Sequence, residues 1–297
     1  MLLLRHAFHP RALDVDFRQQ ELRSDDLVIC RSRFSGGMFD EVRNLPSGRR
    51  QHWSKIRIVL AGHLLARTAG GGEILGPGDA VVSLGWDDHR CRALGAHTEY
   101  ALVAWRHGTD AGDRPTWGGP VALHRERLGV GAAASALAHA LDAPLPFDGV
   151  VARAGTLLDA MRGLGLPVSR DAPVACGANI QPIHRRFARA LETTFFPLTA
   201  RPMAIDLGAT LGMGERHALR VANEFLTRFY VTATTWRQFV RGMRLELGVF
   251  FSTHPDATTE RVSQALGFSS PTALCHAFQS VDLPSPGEVR RQLLQAS

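Results

Sequence analysis

The strongest constraint on the fold lies near the C-terminus, in the stretch TTERVSQALGFSSPTALCHAFQ. Apolar residues between Val262 and Leu266 recur at helical spacing and predict a short first helix. Gly267 follows, and glycine readily takes the left-handed conformation in which helices commonly end. Ser270 and Pro271 are typical of the N-cap and first position of a second helix. The stretch therefore predicts two short helices joined by a tight turn.

A fainter copy of this pattern lies upstream, in MAIDLGATLGMGERHALRVANEF. Its turn is predicted at Leu211-Gly212-Met213, and its second helix at residues 215–225. In both copies, apolar residues and the turn glycine are expected to build the core between the helices. These residues are Leu211, Gly212, Leu266, Gly267, Phe268, Leu274 and Phe278.

A long helix is predicted between the two copies, in TTWRQFVRGMRLELGVFFSTHP, whose apolar residues follow the 3.6-residue period. Thr235 is its expected N-cap, and Pro255 lies just beyond its end. The interval between Phe225 and Trp236 is long for a simple connection. It leaves two alternatives open, which are an extension of the preceding helix and a separate wing.

These motifs resemble the AraC/XylS family of helix-turn-helix transcription regulators. The positions that match in order and spacing are Leu266-Gly267-Phe268, Ser270, Leu274, Phe278 and Ser285-Pro286. Three positions depart from the family pattern, because His276, Gln279 and Leu283 stand where arginine, lysine and glycine are usual. The resemblance implies sequence-specific binding to double-stranded promoter or operator DNA, with RNA polymerase as a further candidate partner.

Candidate DNA contacts lie on the second helix of each copy, on the face opposite its apolar residues. They are Arg216, Arg220, Asn223, Thr272, Ala273, His276 and Gln279. Arginine can bind guanine, and asparagine adenine, through paired hydrogen bonds. The competing interpretation is an ordinary solvated face. Net charge does not decide between them, since residues 201–297 contain ten arginines, no lysine and eight acidic residues, a net charge of +2.

The N-terminal part of the chain has the pattern of a small β-structure. Short apolar runs from Leu27 to Trp105 are separated by glycine-rich turns, which predicts an antiparallel barrel or sandwich. The stretch EILGPGDAVVSLGWDDHRC resembles the cupin-like sensor domain of AraC/XylS relatives. His89 has no second histidine two residues away, so neither a metal nor a cofactor is predicted. A small-molecule effector would occupy the barrel interior.

The predicted fold class is α+β, with three regions along the chain. Residues 1–122 form a cupin-like β-barrel, and residues 200–297 form an all-α domain with two helix-turn-helix units. Residues 123–199 are rich in alanine and leucine and are predicted to be helical. By the family resemblance they would build a homodimer interface, and packing against the barrel is the alternative. Pro197 and Pro202 suggest a hinge before the last region.

Other classes of protein find little support in the sequence. No GxSxG, HExxH or GxxxxGK motif is present, and no enzyme activity is predicted. The four cysteines contain no CxxC pair. No apolar run approaches the roughly 18 residues of a membrane span, so a cytoplasmic location is expected. Two alternatives remain, which are an interaction or ligand-sensing module without DNA binding of its own, and an enzyme acting in the barrel.

Overall fold

The computed structural model describes residues 2–8, 10, 13–24, 27–39, 53–68, 71–84, 91–106, 121–124, 132–133, 136–137, 147–163, 180–195, 204–229 and 233–295. The strands are β1 (Leu2–Phe8), β2 (Asp16–Arg23), β3 (Leu27–Ser35), β4 (Trp53–Ala61), β5 (Leu64–Thr68), β6 (Gly71–Leu75), β7 (Ala80–Leu84), β8 (Cys91–Ala93), β9 (His97–Arg106) and β10 (Val121–Leu123). The helices described after them include α1 (Phe147–Gly163), α2 (Pro182–Phe195), α3 (Ala204–Leu211), α4 (Glu215–Phe229), α5 (Trp236–Ser252), α6 (Thr259–Ala265), α7 (Pro271–Gln279) and α8 (Pro286–Leu294). The chain is therefore α+β, with its strands first and its helices after them.

The strands form two sheets. The larger has the order β1-β2-β3-β9-β4-β7-β10, and the smaller has the order β6-β5-β8. Every pairing is antiparallel, which confirms the antiparallel prediction. Strands β1 and β2 precede the region where the sequence pattern indicated strands. In β2 the positions of Gln19, Glu21 and Arg23 share one face, so this strand lacks a regular apolar alternation.

The two faces of the larger sheet bury different partners. On one face, Val81 and Leu102 share an apolar cluster with Leu64 and Leu75 of the smaller sheet, so the two sheets pack against each other. On the other face the apolar residues include Ile56, Ile58 and Val103. Residues of α1 complete that second cluster, and they include Leu157, Leu158 and Met161. Helix α1 thus covers the outside of the larger sheet.

Helix α2 packs elsewhere, although it belongs to the same predicted helical region. It contacts β1 and also α3 and α4. The Phe187 ring lies 4.6 Å from the Phe225 ring of α4 and 6.2 Å from the Trp236 indole of α5, between ring centroids. The apolar face of α2 is therefore buried within the chain, and the homodimer interface stays a prediction. Pro197 and Pro202 lie outside the described residues.

Helix α4 accounts for part of the long interval before α5, and residues 230–232 of this interval lie outside the described residues. Helix α4 continues past Phe225 to Phe229, so at least part of the interval extends this helix. Thr235 caps α5 by accepting a hydrogen bond from the Gln238 main-chain N–H, as its position predicts. Within the described ranges, no helix has the length and apolar character needed to cross a membrane.

Besides the contacts that α1 and α2 make with the larger sheet, the β-structure also contacts α4 and α5. The Phe34 ring of β3 packs edge-on against the Phe250 ring of α5, at 5.3 Å between centroids, and the Met38 main-chain N–H donates to Thr253 Oγ1 at 2.6 Å. The Arg23 guanidinium of β2 donates to the main-chain oxygen of Phe229 at 3.0 Å. The sheets therefore hold the C-terminal ends of both α4 and α5.

Candidate nucleic-acid interface

The turn between α3 and α4 has a defined hydrogen-bond pattern. Gly212 has a φ of 65° and donates its main-chain N–H to the Ala209 oxygen at 3.2 Å. The Met213 N–H reaches back to the Gly208 oxygen at 2.9 Å. This pair of bonds is a Schellman motif, in which a left-handed residue ends a helix and satisfies its last carbonyl groups.

The turn between α6 and α7 repeats this pattern. Gly267 has a φ of 67° and donates to the Gln264 oxygen at 3.0 Å, and the Phe268 N–H donates to the Ser263 oxygen at 2.8 Å. Ser270 caps α7 by accepting from the Ala273 N–H at 3.1 Å, as predicted. Both predicted glycines thus occupy the conformation for which glycine was expected.

An arginine from the preceding long helix holds each turn. In the first pair, Arg186 of α2 donates to the Leu211 main-chain oxygen at 2.6 Å. In the second, Arg244 of α5 donates to the Leu266 oxygen at 2.7 Å, and its guanidinium carbon lies 4.0 Å from the centre of the Phe268 ring. This role was not predicted for either arginine. The structural repeat therefore has three helices, α2-α3-α4 and α5-α6-α7.

The predicted core residues of the two pairs differ in burial, because Gly212 is exposed and Gly267 is half-buried. Leu211, Leu266, Leu274 and Phe278 are at most 2% exposed. Phe268, which was expected to belong to the core between the helices, is partly buried and is covered on one side by Arg244. Its aromatic face therefore contributes to holding the turn as well as to the core.

The backbone around Leu283 explains why leucine can stand where the family pattern has glycine. The end of α7 is a third Schellman motif, in which Asp282 takes the positive φ of 56°. Asp282 donates to the Gln279 oxygen at 3.0 Å, and Leu283 donates to the Phe278 oxygen at 3.1 Å. Because the left-handed residue is Asp282, the backbone does not need a glycine at position 283, and the Leu283 side chain packs against the core.

On α4, the predicted contact residues separate into two roles. Arg216 and Arg220 are exposed, and an Arg220 guanidinium nitrogen lies 3.2 Å from His217 Nε2. Asn223 is half-buried, and its Oδ1 accepts a hydrogen bond from the Trp236 main-chain N–H at 2.8 Å. A paired contact to adenine needs that oxygen. In this structure Asn223 joins α4 to the start of α5, whereas the two arginines face solvent.

On α7, the predicted contact residues lie on one accessible face without an arginine. Thr272, His276 and Gln279 are exposed, and Ala273 is half-buried. The opposite face carries Leu274 and Phe278 in the core. The two helices therefore present different chemistry, with guanidinium groups on α4 and neutral or titratable groups on α7.

The larger sheet carries buried charged and polar residues on the face that meets the smaller sheet. Lys55, the only lysine of the protein, is fully buried. The Arg57 guanidinium carbon lies 4.7 Å from the centre of the Tyr100 ring. Burial, together with the nearby Glu21 carboxylate, raises the pKa of the Cys30 thiol to about 12. Within the described ranges no three His, Cys, Asp or Glu side chains are grouped to hold a metal, and His89 lies outside them.

Comparisons with known proteins give weak matches only. No family model matches the sequence, and no curated protein matches it. Similar solved structures include ToxT from Vibrio cholerae O395, with 10% identity and a TM-score of 0.36 over 91% of this chain and 99% of that one.

Two further similar structures match the chain over a smaller share. KdgF from Halomonas sp. has 20% identity and a TM-score of 0.24, over 31% of this chain and 82% of that one. Ylba from E. coli has 14% identity and a TM-score of 0.30, and this chain spans less than half of it, 46%. At these identities and TM-scores, the similar structures do not indicate a function for this chain.

Proposed function

We propose that this protein is a sequence-specific DNA-binding transcription regulator, in which the α3–α4 and α6–α7 pairs act as helix-turn-helix units. The observation that supports this most directly is the repeated turn, held by Arg186 in one unit and by Arg244 in the other. Each turn leaves one face of the following helix exposed. Helices α4 and α7 would enter successive major-groove segments, about one helical turn or roughly 34 Å apart.

In this proposal α4 supplies the stronger base discrimination. Arg216 and Arg220 are exposed on it, and a paired arginine contact to guanine contributes about 1–3 kcal/mol of discrimination. On α7, Thr272, His276 and Gln279 can donate or accept single hydrogen bonds. We expect Asn223 to act mainly by fixing the angle between α4 and α5.

The two-sheet region is proposed to be a cupin-like sensor without enzyme activity. A small-molecule effector would bind between the sheets, at the face of the larger sheet to which the buried residues Lys55, Arg57 and Tyr100 belong. The contacts from Arg23 and Phe34 to the helical region give such binding a physical route to α4 and α5. Homodimer formation and contact with RNA polymerase belong to the same proposal.

The decisive experiment is selection of bound duplexes from a random-sequence pool, followed by affinity measurement on an enriched duplex. We expect a defined motif with two halves, and an affinity loss of about tenfold or more for Arg220→Ala. Arg291→Ala is the matched control, since Arg291 is an exposed arginine on α8. Equal binding by Arg220→Ala and the parent would contradict the role given to α4.

The second candidate function is a protein-interaction or ligand-sensing module that does not bind DNA by itself. The absence of an arginine from the described exposed face of α7 favours it, as does the engagement of Asn223 with Trp236. The same selection separates the candidates. Failure of the folded parent protein to enrich any sequence at low salt, with and without candidate effectors, would favour this module.

A further inference from the structure

Helix α5 carries two exposed arginines near its N-terminus, Arg237 and Arg241, which we call the α5 arginine pair. They are four residues apart and therefore lie on one face of the helix. Trp236, Phe239 and Gly242 are buried on other faces. Joining the two helix pairs through α5 does not require these two charges.

The α5 arginine pair lies between α4 and α7, the two helices that carry the candidate DNA contacts. At the start of α5, the Trp236 N–H donates to Asn223 Oδ1 of α4 at 2.8 Å. One turn beyond Arg237, the Arg241 guanidinium donates to the hydroxyl of Ser280, the residue that directly follows α7. The pair is therefore bordered by α4 at one side and by the end of α7 at the other.

The part of α5 that carries this pair has only positive charges. Between Trp236 and Leu245 the chain contains three arginines and no acidic residue, and the first carboxylate of α5 is Glu246. The side-chain oxygen of Gln238 accepts from the Thr234 N–H and hydroxyl, so it is directed back along the chain. A guanidinium can bind a phosphate through paired hydrogen bonds, which makes the DNA backbone a complementary occupant.

We infer that the α5 arginine pair binds the phosphate backbone of duplex DNA between the two groove segments that α4 and α7 enter. This inference rests on the proposed function. When two helices occupy successive major-groove segments on one side of a duplex, the intervening backbone crosses in front of the element that joins them. Phosphate contacts at this crossing fix the positions of α4 and α7 along the duplex and carry no base preference.

The test is a salt titration of binding to an enriched duplex of roughly 40 base pairs, about four helical turns. Each phosphate contact contributes about 0.9 to the slope of log affinity against log salt concentration. Arg237→Gln with Arg241→Gln is therefore expected to lower the slope by about 1.8. Affinity should fall about 10- to 100-fold near 0.1 M salt, by a factor that shrinks as salt is added.

Two control variants separate the effect of the α5 arginine pair from a general change in net charge and from loss of the contact with Ser280. Arg67→Gln with Arg291→Gln makes the same change in net charge, at exposed positions on β5 and α8, and is expected to keep the parent slope. Ser280→Ala removes the hydroxyl that Arg241 contacts and leaves both charges in place, so it too should keep the slope. The α5 variant should select the same base sequence as the parent.

The outcomes distinguish this inference from the proposed function. A parent that binds DNA, together with an α5 variant of unchanged slope and affinity, would overturn only the role of the α5 arginine pair. Changed base preference in that variant would also overturn it, because backbone contacts do not read bases. A folded parent that binds no duplex would overturn the proposed function and this inference with it.

Discussion

At the scale of single residues, arginine repeatedly stabilises the ends of helices through main-chain oxygen atoms. Arg186, Arg244 and Arg23 donate to the last carbonyl groups of α3, α6 and α4 respectively. The C-terminal end of a helix carries partial negative charge and unsatisfied carbonyl groups, so a cation that donates hydrogen bonds is favourable there. A chain with a single lysine thus uses guanidinium groups for internal structure as well as for any external contact.

Arg244→Ala tests this role. The substitution removes a charged hydrogen bond to the Leu266 oxygen and a cation–π contact with Phe268. We expect the free energy of unfolding to fall by about 2–3 kcal/mol, measured by urea denaturation with an unchanged slope. Arg261→Ala, at an exposed position on the neighbouring helix, should change it by no more than about 0.5 kcal/mol. Equal stability of the two variants would contradict a structural role for Arg244.

The buried Glu99 carboxylate makes the stability of the fold depend on pH. Glu99 is buried, which by itself raises its pKa, but hydrogen bonds from Arg31 at 2.6 Å and Arg33 at 3.0 Å, with their charges, lower the pKa below 4.5 overall. Because the folded-state pKa is the lower one, the carboxylate stabilises the fold above pH 4.5. This contribution is lost as the pH falls through the folded-state value.

Glu99→Gln should therefore be less stable than the parent at neutral pH, by about 2–3 kcal/mol. The difference should shrink as the pH falls from 4.5 through the lower folded-state pKa, because the unfolded parent binds the proton before the folded one does. Chemical denaturation of both proteins between neutral pH and about pH 3 measures it. A stability difference that grows on acidification would show that the sign of this assignment is wrong.

Asn223 shows where inference from single residues reaches its limit. Helical spacing places it beside Arg216 and Arg220, and that much of the prediction holds. Spacing does not indicate that the Trp236 N–H, thirteen residues later, needs an acceptor at the start of a new helix. A polar side chain has the same sequence signature whether its partner is a base or the chain itself, so only the tertiary structure separates the two roles.

At the scale of elements, the approach of α5 to α7 depends on a missing side chain. A Cβ added at Gly248 would lie 2.9 Å and 3.0 Å from two ring carbons of Phe278. Both residues are buried, so the ring has little room to move. The absence of a side chain at Gly248 therefore determines how closely α5 and α7 can pack.

Gly248→Ala is expected to destabilise the protein by about 1–3 kcal/mol through overpacking, despite the better helix propensity of alanine. Gly287→Ala is the matched control in α8, because a Cβ there has no other atom within 4 Å. That control should gain up to about 1 kcal/mol of stability. Thermal unfolding of both variants measures the two effects, and a stabilised Gly248→Ala would refute the close-packing argument.

Elements with strong local signals were predictable, and those defined by distant partners were not. The turns at Gly212 and Gly267 and the caps at Thr235 and Ser270 follow from backbone chemistry within a few residues. Strand β2 has no comparable signal, since buried polar groups replace part of its apolar alternation. The division of the helical region between α1 on the sheet and α2 in the helical core is likewise set by tertiary packing.

At the scale of the whole molecule, the joint between the sheets and the helices is tight. A Cβ added at Gly37 would lie 2.5 Å from the Phe250 main-chain oxygen and 2.8 Å from its ring. The neighbouring Met38 N–H donates to Thr253. The main chain that follows β3 therefore lies directly against the last turn of α5.

Gly37→Ala should open this joint and leave the sheets and the helices folded. We expect faster amide hydrogen exchange in residues 250–254, because the added methyl group must displace main chain. Gly72→Ala is the control, where the nearest atom to an added Cβ is a flexible Leu65 methyl group at 3.4 Å. Identical exchange in the parent and Gly37→Ala would show that the contact does not constrain the helices.

The dissimilar faces of α4 and α7 have one more consequence. If the proposed function holds, α4 would contact DNA with two guanidinium groups and α7 with a histidine and a glutamine, so a single chain would not recognise a palindrome by itself. Its operator would be asymmetric, and inverting that operator would place the two-sheet region on the opposite side of the site along the DNA. Such a protein would distinguish upstream from downstream along a genome.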